Sequence, residues 1–372
     1  MSSAGAPSGS QDDTPLGRLI NRQIELTGPM PLPVYMALCL THPDHGYYVN
    51  RDPLGARGDF ITAPEISQLF GEMIGIWLST LWQDMGSPRE CEIVELGPGR
   101  GTLLADAGRV LALGGMAHAA EFTLVEASPR FRAEQEGRLG THRVRWIADI
   151  GSIEDDGQPL IVIANEFFDA LPIRQFVAQG GQWRERVVSL SEGTRCWGLG
   201  ADPLPDDGTA EIADGSVREF GLAATSLMTE LSRKIASRGG AILVIDYGYG
   251  TTQQGETLQA LKEHKFADPL HAPGLVDLTA HVDFDALAGA AAKGGLTSMP
   301  LLAQSTFLLA LGIETRRDSL SAANPGHAAE IGSGAKRLLD EAQMGTLFKV
   351  FCAASPELTP YPFVRSGAGR KP

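Results

Sequence analysis

The stretch that decides the fold is Val94-Glu95-Leu96-Gly97-Pro98-Gly99-Arg100-Gly101-Thr102. It closes a short apolar run that is typical of a buried strand, and it leads into a helix predicted over 102–113. Its three glycines permit a tight turn and let the backbone approach a ligand closely. The N–H groups that open the following helix face whatever lies at the turn. The stretch therefore predicts a strand–loop–helix unit with a ligand at the carboxyl end of the strand.

Strand and helix patterns alternate along the chain after this loop. Strands are predicted at 122–126, 144–147, 159–164, 241–245 and 347–352, with helices at 129–139, 284–293, 306–311 and 328–341. Such alternation predicts a parallel sheet with right-handed crossover connections. We therefore expect a Rossmann-like α/β fold.

The remaining segments are predicted to surround this sheet. The expected organisation is a disordered tail at 1–13, a helical N-terminal extension at 14–85, a core at 86–355 with insertions near 190–235 and 248–285, and a C-terminal tail at 356–372. Apolar spacing predicts a helix at 66–82, a hairpin at 175–188 and a helix near 217–237. The polar insertion at 248–285 is expected to be an irregular lid or substrate loop.

Three acidic residues follow or end neighbouring strands of the predicted sheet. Glu95 can accept a hydrogen bond from a water or from the ammonium group of S-adenosylmethionine, Glu126 from ribose hydroxyls, and Asp149 from the adenine amine. A dinucleotide fingerprint would need glycine where Thr102 stands, and a pyrophosphate would be repelled by Glu95. The alternative, purely structural interpretation is an ordinary glycine turn with acidic residues on the surface. Three acids on one sheet edge favour a site for S-adenosylmethionine.

The fourth strand ends in Asn165-Glu166-Phe167-Phe168-Asp169. Its first four residues fit the pattern, Asn or Asp followed three residues later by an aromatic residue, that class I nitrogen methyltransferases place beside the transferred methyl group. An amide oxygen can hold a nitrogen nucleophile, and an aromatic face can contact the cation. Glu166 and Asp169 could together orient a guanidinium group. Asp169 fits a helix cap or loop hydrogen bond equally well.

Two further polar motifs lie downstream. Asp246-Tyr247-Gly248 ends a buried strand on the same predicted edge, and His281 follows the irregular segment as a candidate base or substrate ligand. A lone loop histidine is more often structural. His42 and His45 have no third ligand nearby, so we expect no zinc site.

Composition limits the remaining function classes. The net charge is −14 and no basic cluster of any length occurs, which argues against a general nucleic-acid binder. Four scattered cysteines indicate reduced thiols, and no apolar run reaches the roughly 20 residues that span a bilayer. The first thirteen residues carry no positive region, so we expect a cytoplasmic protein.

Taken together, these residues resemble the MidA-like class I methyltransferases, whose mitochondrial members assist assembly of respiratory complex I. The marks of the resemblance are Gly46-Tyr47-Tyr48, the 58–67 stretch, the 95–101 loop, the 165–172 segment, Asp246-Tyr247-Gly248 and the 277–284 segment. The resemblance implies a class I methyltransferase sheet and S-adenosylmethionine as cofactor. It also implies protein arginine N-methylation, in the form of symmetric dimethylation of an NADH dehydrogenase (complex I) subunit.

The resemblance also suggests that residues 58–67 fold over the cofactor, so Gly58 and Thr62 are candidate cofactor contacts. Two other functions stay open at this point. One is a complex I assembly factor that uses a methyltransferase fold only for binding, and the other is a small-molecule methyltransferase. A nicotinamide oxidoreductase fits least because the third glycine of its fingerprint is missing. The sequence leaves the oligomeric state open.

Overall fold

The computed structural model describes residues 14–50, 61–140, 143–204 and 213–363. Its α-helices are α1 (Pro15–Thr27), α2 (Leu32–Thr41), α3 (Tyr47–Asn50), α4 (Ala63–Ile66), α5 (Gln68–Asp84), α6 (Thr102–Leu113), α7 (Pro129–Leu139), α8 (Leu222–Arg238), α9 (Phe284–Lys293), α10 (Gln304–Ala310), α11 (Ile313–Ala323), α12 (Ala328–Leu339) and α13 (Met344–Leu347). Its strands are β1 (Met30–Pro31), β2 (Cys91–Leu96), β3 (Ala120–Val125), β4 (Val144–Ile147), β5 (Leu160–Asn165), β6 (Arg174–Gln179), β7 (Gln182–Ser191), β8 (Thr194–Pro203), β9 (Val217–Phe220), β10 (Gly240–Tyr249), β11 (Gln259–Lys262), β12 (Lys265–Ala267), β13 (Asp277–Thr279), β14 (Val282–Asp283), β15 (Thr297–Ser298), β16 (Leu302–Ala303) and β17 (Phe348–Ala354).

The largest sheet carries the predicted α/β core. Its strands run in the order β15-β17-β10-β5-β2-β3-β4. Strands β10, β5, β2, β3 and β4 are parallel, and β17 is antiparallel to β10. Every residue of β2 and β5 is buried, as expected for parallel strands that helices cover on both faces. The Rossmann-like fold predicted from the sequence is confirmed.

The direction of chain progression changes between β2 and β5. From β2 the chain continues outward to β3 and β4, whereas β5 starts the opposite half of the sheet with β10 and β17 beyond it. In such sheets ligands bind in the crevice outside the carboxyl ends of the strands at this switch point. Because β2 ends at Leu96 and β5 at Asn165, the glycine loop and the 165–172 segment both begin at the crevice.

Two apolar layers enclose the main sheet. Helices α5 and α6 pack on one face, where Phe70 and Trp77 are fully buried. Helices α8 and α9 cover the other face with Leu231 and Phe284. Burial of one such side chain stabilises a fold by roughly 1.5–3 kcal/mol, so these layers stabilise the sheet whose edge carries the crevice.

A second apolar core lies beneath the first two helices. Helices α1 and α2 pack with residues of two antiparallel sheets, one of order β1-β7-β6-β9 with β8 beside β7, the other of order β12-β11-β13. Helix α5 belongs to the main core instead. The expected N-terminal extension therefore divides between two cores. The insertion expected near 190–235 combines part of a sheet that begins already at Arg174 with helix α8, which packs on the main sheet.

The irregular structure expected at 248–285 is present over more than half of that segment, chiefly 250–258 and 268–276, but the rest is regular. The segment contains β11, β12 and β13, and its apolar residues Leu258, Leu270, Val276 and Leu278 are buried against the N-terminal helices. Turn-forming residues separate these apolar positions, which hid the strands in the sequence. The segment is a structural part of the second core.

Smaller differences concern element ends. The helix expected near 217–237 begins with β9, which pairs with β6, and Gly221 separates this strand from α8. The helix expected at 66–82 breaks at Ser67, whose hydroxyl caps α5. The hairpin at 175–188 is present as β6 and β7.

The C-terminal region is more ordered than the sequence indicated. Helix α11 was not expected, and residues 356–363, assigned to a tail, pack on the main core through Leu358 and Phe363. The other expected tail, at 1–13, lies outside the described residues. Within the described ranges, no helix is both long and apolar enough to cross a membrane.

Candidate active site

The glycine loop after β2 depends on three glycines in left-handed conformations. Gly97 has φ 59°, Gly99 54° and Gly101 74°. A side chain in this region costs roughly 1–2 kcal/mol per residue. The Gly101 N–H donates to the Pro98 carbonyl at 2.8 Å, which closes the turn directly before α6. The loop can therefore expose its backbone to the crevice only with glycine at these positions.

The loop also touches the segment that follows β5. A Cβ atom added to Gly97 would lie 2.8 Å from Cδ2 of the Phe167 ring, inside contact distance. The Phe167 ring thus packs directly on the Gly97 backbone. This contact fixes the spacing between the two halves of the crevice.

Glu95 is a buried carboxylate on the inner side of the loop. Its residue is 3% exposed, and its Oε2 atom has no hydrogen-bond partner among the described residues. Burial, and secondarily the charge of Glu126, raise the pKa of Glu95 to about 8. A buried acceptor without a donor typically costs about 1–3 kcal/mol, and more when it is charged. A bound group that carries N–H donors would remove that cost.

Glu126 follows β3 and is held by its neighbours. It accepts hydrogen bonds from the Ser128 N–H at 2.7 Å and from Gln135 Nε2 at 3.2 Å. Burial raises the pKa of Glu126 in spite of these bonds. Gln135 also donates to the Gly99 carbonyl at 2.6 Å and so joins this carboxylate to the glycine loop. The Glu126 side chain has a fixed orientation next to that loop.

Sequence reasoning missed Gln135, although a signal was present. Phe131, Gln135 and Leu139 share the buried face of α7 at a spacing of four residues. A polar residue that is fully buried within an apolar stripe needs partners, and here they are a backbone carbonyl and a carboxylate.

Asp149 differs from the other two predicted acids. It stands at the N-cap position of the single turn Ile150–Ser152 after β4, its side chain is exposed, and its Oδ2 accepts from Ser152 Oγ at 3.4 Å. The three acids therefore do follow or end three neighbouring strands, but only Glu95 and Glu126 are buried. Asp149 lies at the outer rim of the edge.

Helix α4 connects the N-terminal region to the crevice. Glu65 accepts a 2.5 Å hydrogen bond from Thr102 Oγ1 at the start of α6, and it lies 3.5 Å from Arg100 Nη1. Thr62 caps α4 only through its backbone carbonyl, which accepts from the N–H groups of Glu65 and Ile66. The predicted contact Gly58 lies outside the described residues. Glu65, which the sequence placed in a motif without a role, fixes this region to the glycine loop.

The turn after β5 begins with a strained residue. Glu166 has φ 51°, a left-handed conformation that is uncommon outside glycine. Its Oε1 accepts from the Ala63 N–H at 2.9 Å and from Asn165 Nδ2 at 3.2 Å. Burial is the main reason that the pKa of Glu166 rises to about 7. The buried Asn165 Oδ1 has no partner among the described residues, so it remains available to a ligand.

Asp169 ends the turn and is bound to a tyrosine of β10. Tyr247 OH donates to Asp169 Oδ2 at 2.6 Å, and burial raises the pKa of Asp169 to about 6. Asp246 is fully buried, and its Oδ2 accepts from three consecutive N–H groups, those of Phe167, Phe168 and Asp169. Asp246 thus holds the backbone of the whole turn.

His281 is not in direct contact with these carboxylates. Its ring lies edge-on to Tyr247 at 5.5 Å, its backbone N–H donates to Thr257 Oγ1, and burial lowers its pKa. Tyr247 therefore contacts both residues, His281 through its ring and Asp169 through its hydroxyl group. A second tyrosine–carboxylate pair approaches from the N-terminal region, where Tyr48 OH donates to Asp277 Oδ1 at 2.9 Å. Its tyrosine was a mark of the family resemblance but had no assigned role.

The site thus has two parts on one sheet edge. One is a glycine turn with two buried carboxylates, of which one oxygen lacks a donor. The other is a polar turn whose carboxylates, Glu166 and Asp169, form no ion pair with any arginine or lysine of the described ranges. The glycine turn can hold a ligand with hydroxyl and ammonium groups, and the polar turn can hold a nitrogen nucleophile beside it. Fold and site together define a class I S-adenosyl-L-methionine-dependent methyltransferase.

Comparison with known proteins agrees with this class. Residues 73–301 match the family described as "Putative S-adenosyl-L-methionine-dependent methyltransferase", and the chain belongs to that family. Among curated proteins it is similar to the mitochondrial protein arginine methyltransferase NDUFAF7 homolog of Drosophila melanogaster, with 36% identity over 94% of this chain and 88% of the relative. The mitochondrial protein arginine methyltransferase NDUFAF7 of Homo sapiens is also 36% identical, over 91% of this chain and 83% of that protein.

A solved structure supports the cofactor. A protein from Burkholderia thailandensis bound to S-adenosyl-homocysteine is 28% identical, covers 95% of both chains and superposes with a TM-score of 0.81. The predicted fold, enzyme class and cofactor, S-adenosyl-L-methionine, are therefore confirmed. The curated relatives are named as mitochondrial, so the cytoplasmic location expected from the sequence has no support from them and stays a prediction.

Proposed function

We propose that the protein transfers a methyl group from S-adenosyl-L-methionine to an arginine side chain of a protein substrate. The observation that carries this proposal is the pair of carboxylates Glu166, which is half-buried, and Asp169, which is buried; no described arginine or lysine neutralises either by an ion pair. A guanidinium group has five N–H donors in a planar fork and suits such a pair. The names of the curated relatives point to the same reaction.

The residues of the two turns have separate roles in this proposal. Bound S-adenosyl-L-methionine supplies a methyl group on a sulfonium sulfur, and the carbon–sulfur bond breaks as the bond from the substrate nitrogen to carbon forms. The Asn165 amide oxygen and the Glu166 carboxylate hold the substrate N–H groups, so that the nitrogen lone pair faces the methyl group. Glu166, with its pKa near 7, can accept the proton that the nitrogen loses.

The substrate is proposed to be a subunit of NADH dehydrogenase (complex I). The support for this target is the family resemblance seen in the sequence. The test uses complex I isolated from a strain that lacks this gene, incubated with the purified protein and isotopically labelled S-adenosyl-L-methionine. Mass spectrometry should find labelled, dimethylated arginine in one subunit. Label on lysine or on no residue, while the cofactor binds, would contradict the proposed function.

The pKa of Glu95 leads to a pH dependence that needs no substrate. The ligand-free pKa is about 8, and an ammonium group requires the ionised form. Below pH 8 the carboxyl must lose a proton before it binds, so S-adenosyl-homocysteine should bind more weakly as pH falls. Well below pH 8, the Kd should rise by at most about tenfold for each pH unit. Calorimetry in buffers of different ionisation enthalpy should also show proton release on binding.

A Glu95→Gln variant is the matched control for this prediction. The variant keeps the shape of the side chain but cannot ionise. It should therefore bind S-adenosyl-homocysteine weakly at pH 8, and its Kd should be nearly independent of pH. If the variant kept the pH dependence of the wild type, the titrating group would be another residue, such as Glu126, whose pKa burial also raises.

A further inference from the structure

The residues at the end of β10 contact the 165–169 turn but have no part in the reaction as proposed so far. Asp246 and Tyr247 lie on the strand next to β5, at the same carboxyl edge as the 165–169 turn. We propose that Asp246 and Tyr247 are positioning residues that set the place of Asn165, Glu166 and Asp169 for methyl transfer. This inference rests on the proposed function, because it concerns the same acceptor side of the crevice.

The first support is the way one oxygen atom gathers the turn. Asp246 Oδ2 accepts the N–H groups of Phe167, Phe168 and Asp169 at 3.2, 3.0 and 3.2 Å. Its other oxygen accepts the N–H of Tyr247 at 2.9 Å. Three successive N–H groups that converge on one anion form a backbone nest. A single side chain therefore fixes the direction of three consecutive peptide groups.

The second support is the conformation of Glu166. Its left-handed φ of 51° precedes the three converging N–H groups and turns the chain so that they meet. Such conformations cost of order 1–3 kcal/mol and persist where the surroundings determine them. Asp246 offsets that cost from outside the turn. Without it, Glu166 would be free to relax toward an ordinary conformation and move its carboxylate.

Tyr247 controls the other end of the turn. Its hydroxyl donates to Asp169 Oδ2 at 2.6 Å, and its ring is wedged between His281 and Phe348, each 5.5 Å away. The Asp169 carbonyl also accepts the N–H of Ala280 at 2.9 Å. Asp169 is therefore held by side chain and backbone together, which leaves Glu166 as the carboxylate with the freer oxygen.

The test compares two variants that each remove one buried carboxylate. Asp246→Asn keeps the volume but replaces one of two accepting oxygens by an NH2 group, which must face either the three N–H groups of the turn or the N–H of Tyr247. Glu92→Gln is the matched control, since Glu92 is also buried and paired, with Arg238 at 2.9 Å and Arg145 at 2.8 Å, but lies near the other end of β2. Both should lower the melting temperature. Tyr247→Phe is a milder third variant that loses only the bond to Asp169.

Three measurements decide the inference. In Asp246→Asn, kcat should fall by about 10–100-fold, the range expected when reacting groups shift by about 1 Å, whereas the Kd for S-adenosyl-homocysteine should stay within a few-fold. Amide hydrogen exchange at Phe167, Phe168 and Asp169 should become faster in this variant only. Glu92→Gln should keep the wild-type kcat, and Tyr247→Phe should lower kcat several-fold.

The outcomes separate the two proposals. A wild type that methylates no complex I subunit would refute the proposed function and with it this inference. An active wild type with an equally active Asp246→Asn variant would refute the positioning role alone. Equal losses of kcat in Asp246→Asn and Glu92→Gln would show that lower stability, and not altered positioning, reduces kcat. That result would also refute the positioning role. If Asp246→Asn does not fold, an unchanged kcat in Tyr247→Phe would refute the part assigned to Tyr247.

Discussion

A Gly97→Ala variant should fold but lose most of its affinity for S-adenosyl-homocysteine. Gly97 has φ 59°, and the new methyl carbon would lie 2.8 Å from the Phe167 ring. The loop can relieve the backbone strain and the contact with Phe167 only by leaving the conformation that faces the cofactor. If returning to it costs about 1–3 kcal/mol, the Kd rises by about 5–150-fold. Calorimetry with S-adenosyl-homocysteine measures this directly.

The control for this prediction is Gly86→Ala. Gly86 follows α5 with φ 85°, and an added Cβ there would meet no atom within 4 Å. Both variants therefore carry the conformational cost of a left-handed alanine, but only one carries it at the crevice. The Gly86 variant should lose stability and keep its affinity. Equal affinities in both variants would mean that the Gly97 backbone does not approach the cofactor.

The parts of the structure that sequence analysis predicted correctly depend on local signals. Helices α6 and α7 have the predicted ends, since α6 begins after a left-handed glycine and α7 begins with Pro129 after the capping residue Ser128. The glycine turn and the run of acids at strand ends are likewise local patterns. Such features are determined within a few residues, and a single sequence displays them.

The parts that could not be predicted depend on contacts between distant segments. Asp246 binds N–H groups 77 to 79 residues away in the chain, and Tyr48 binds Asp277 across 229 residues. No spacing in the sequence indicates such pairs. The strands of the 248–285 segment were missed for the same reason, because their buried residues pack against the distant helices α1 and α2. Many of the polar residues that suggested a lid lie in turns between these short strands, of which β13 is buried and β12 largely exposed.

A Glu166→Gln variant should reduce methyl transfer by about 10²–10³-fold, the loss typical when one charged or dipolar partner of a transition state is removed. The amide keeps an oxygen for the Ala63 N–H, so the turn should retain its shape. The cofactor lies on the other side of the crevice in our proposal, so the Kd for S-adenosyl-homocysteine should change little. Asp169→Asn should cost less, because Tyr247 already occupies one oxygen of Asp169.

The pH profile distinguishes a charge effect of Glu166 from a loss of shape. Burial raises the pKa of Glu166 to about 7, so below this value the carboxyl is mostly protonated and cannot neutralise a guanidinium group. With the cofactor saturating, the rate of the wild type should therefore rise as pH increases through 7. Glu166→Gln should be slow at every pH and lack this rise. A rise of equal size in the variant would assign the titration to Asp169, whose pKa of about 6 would place its midpoint about one pH unit lower. The position of the midpoint thus identifies the carboxylate that faces the substrate nitrogen.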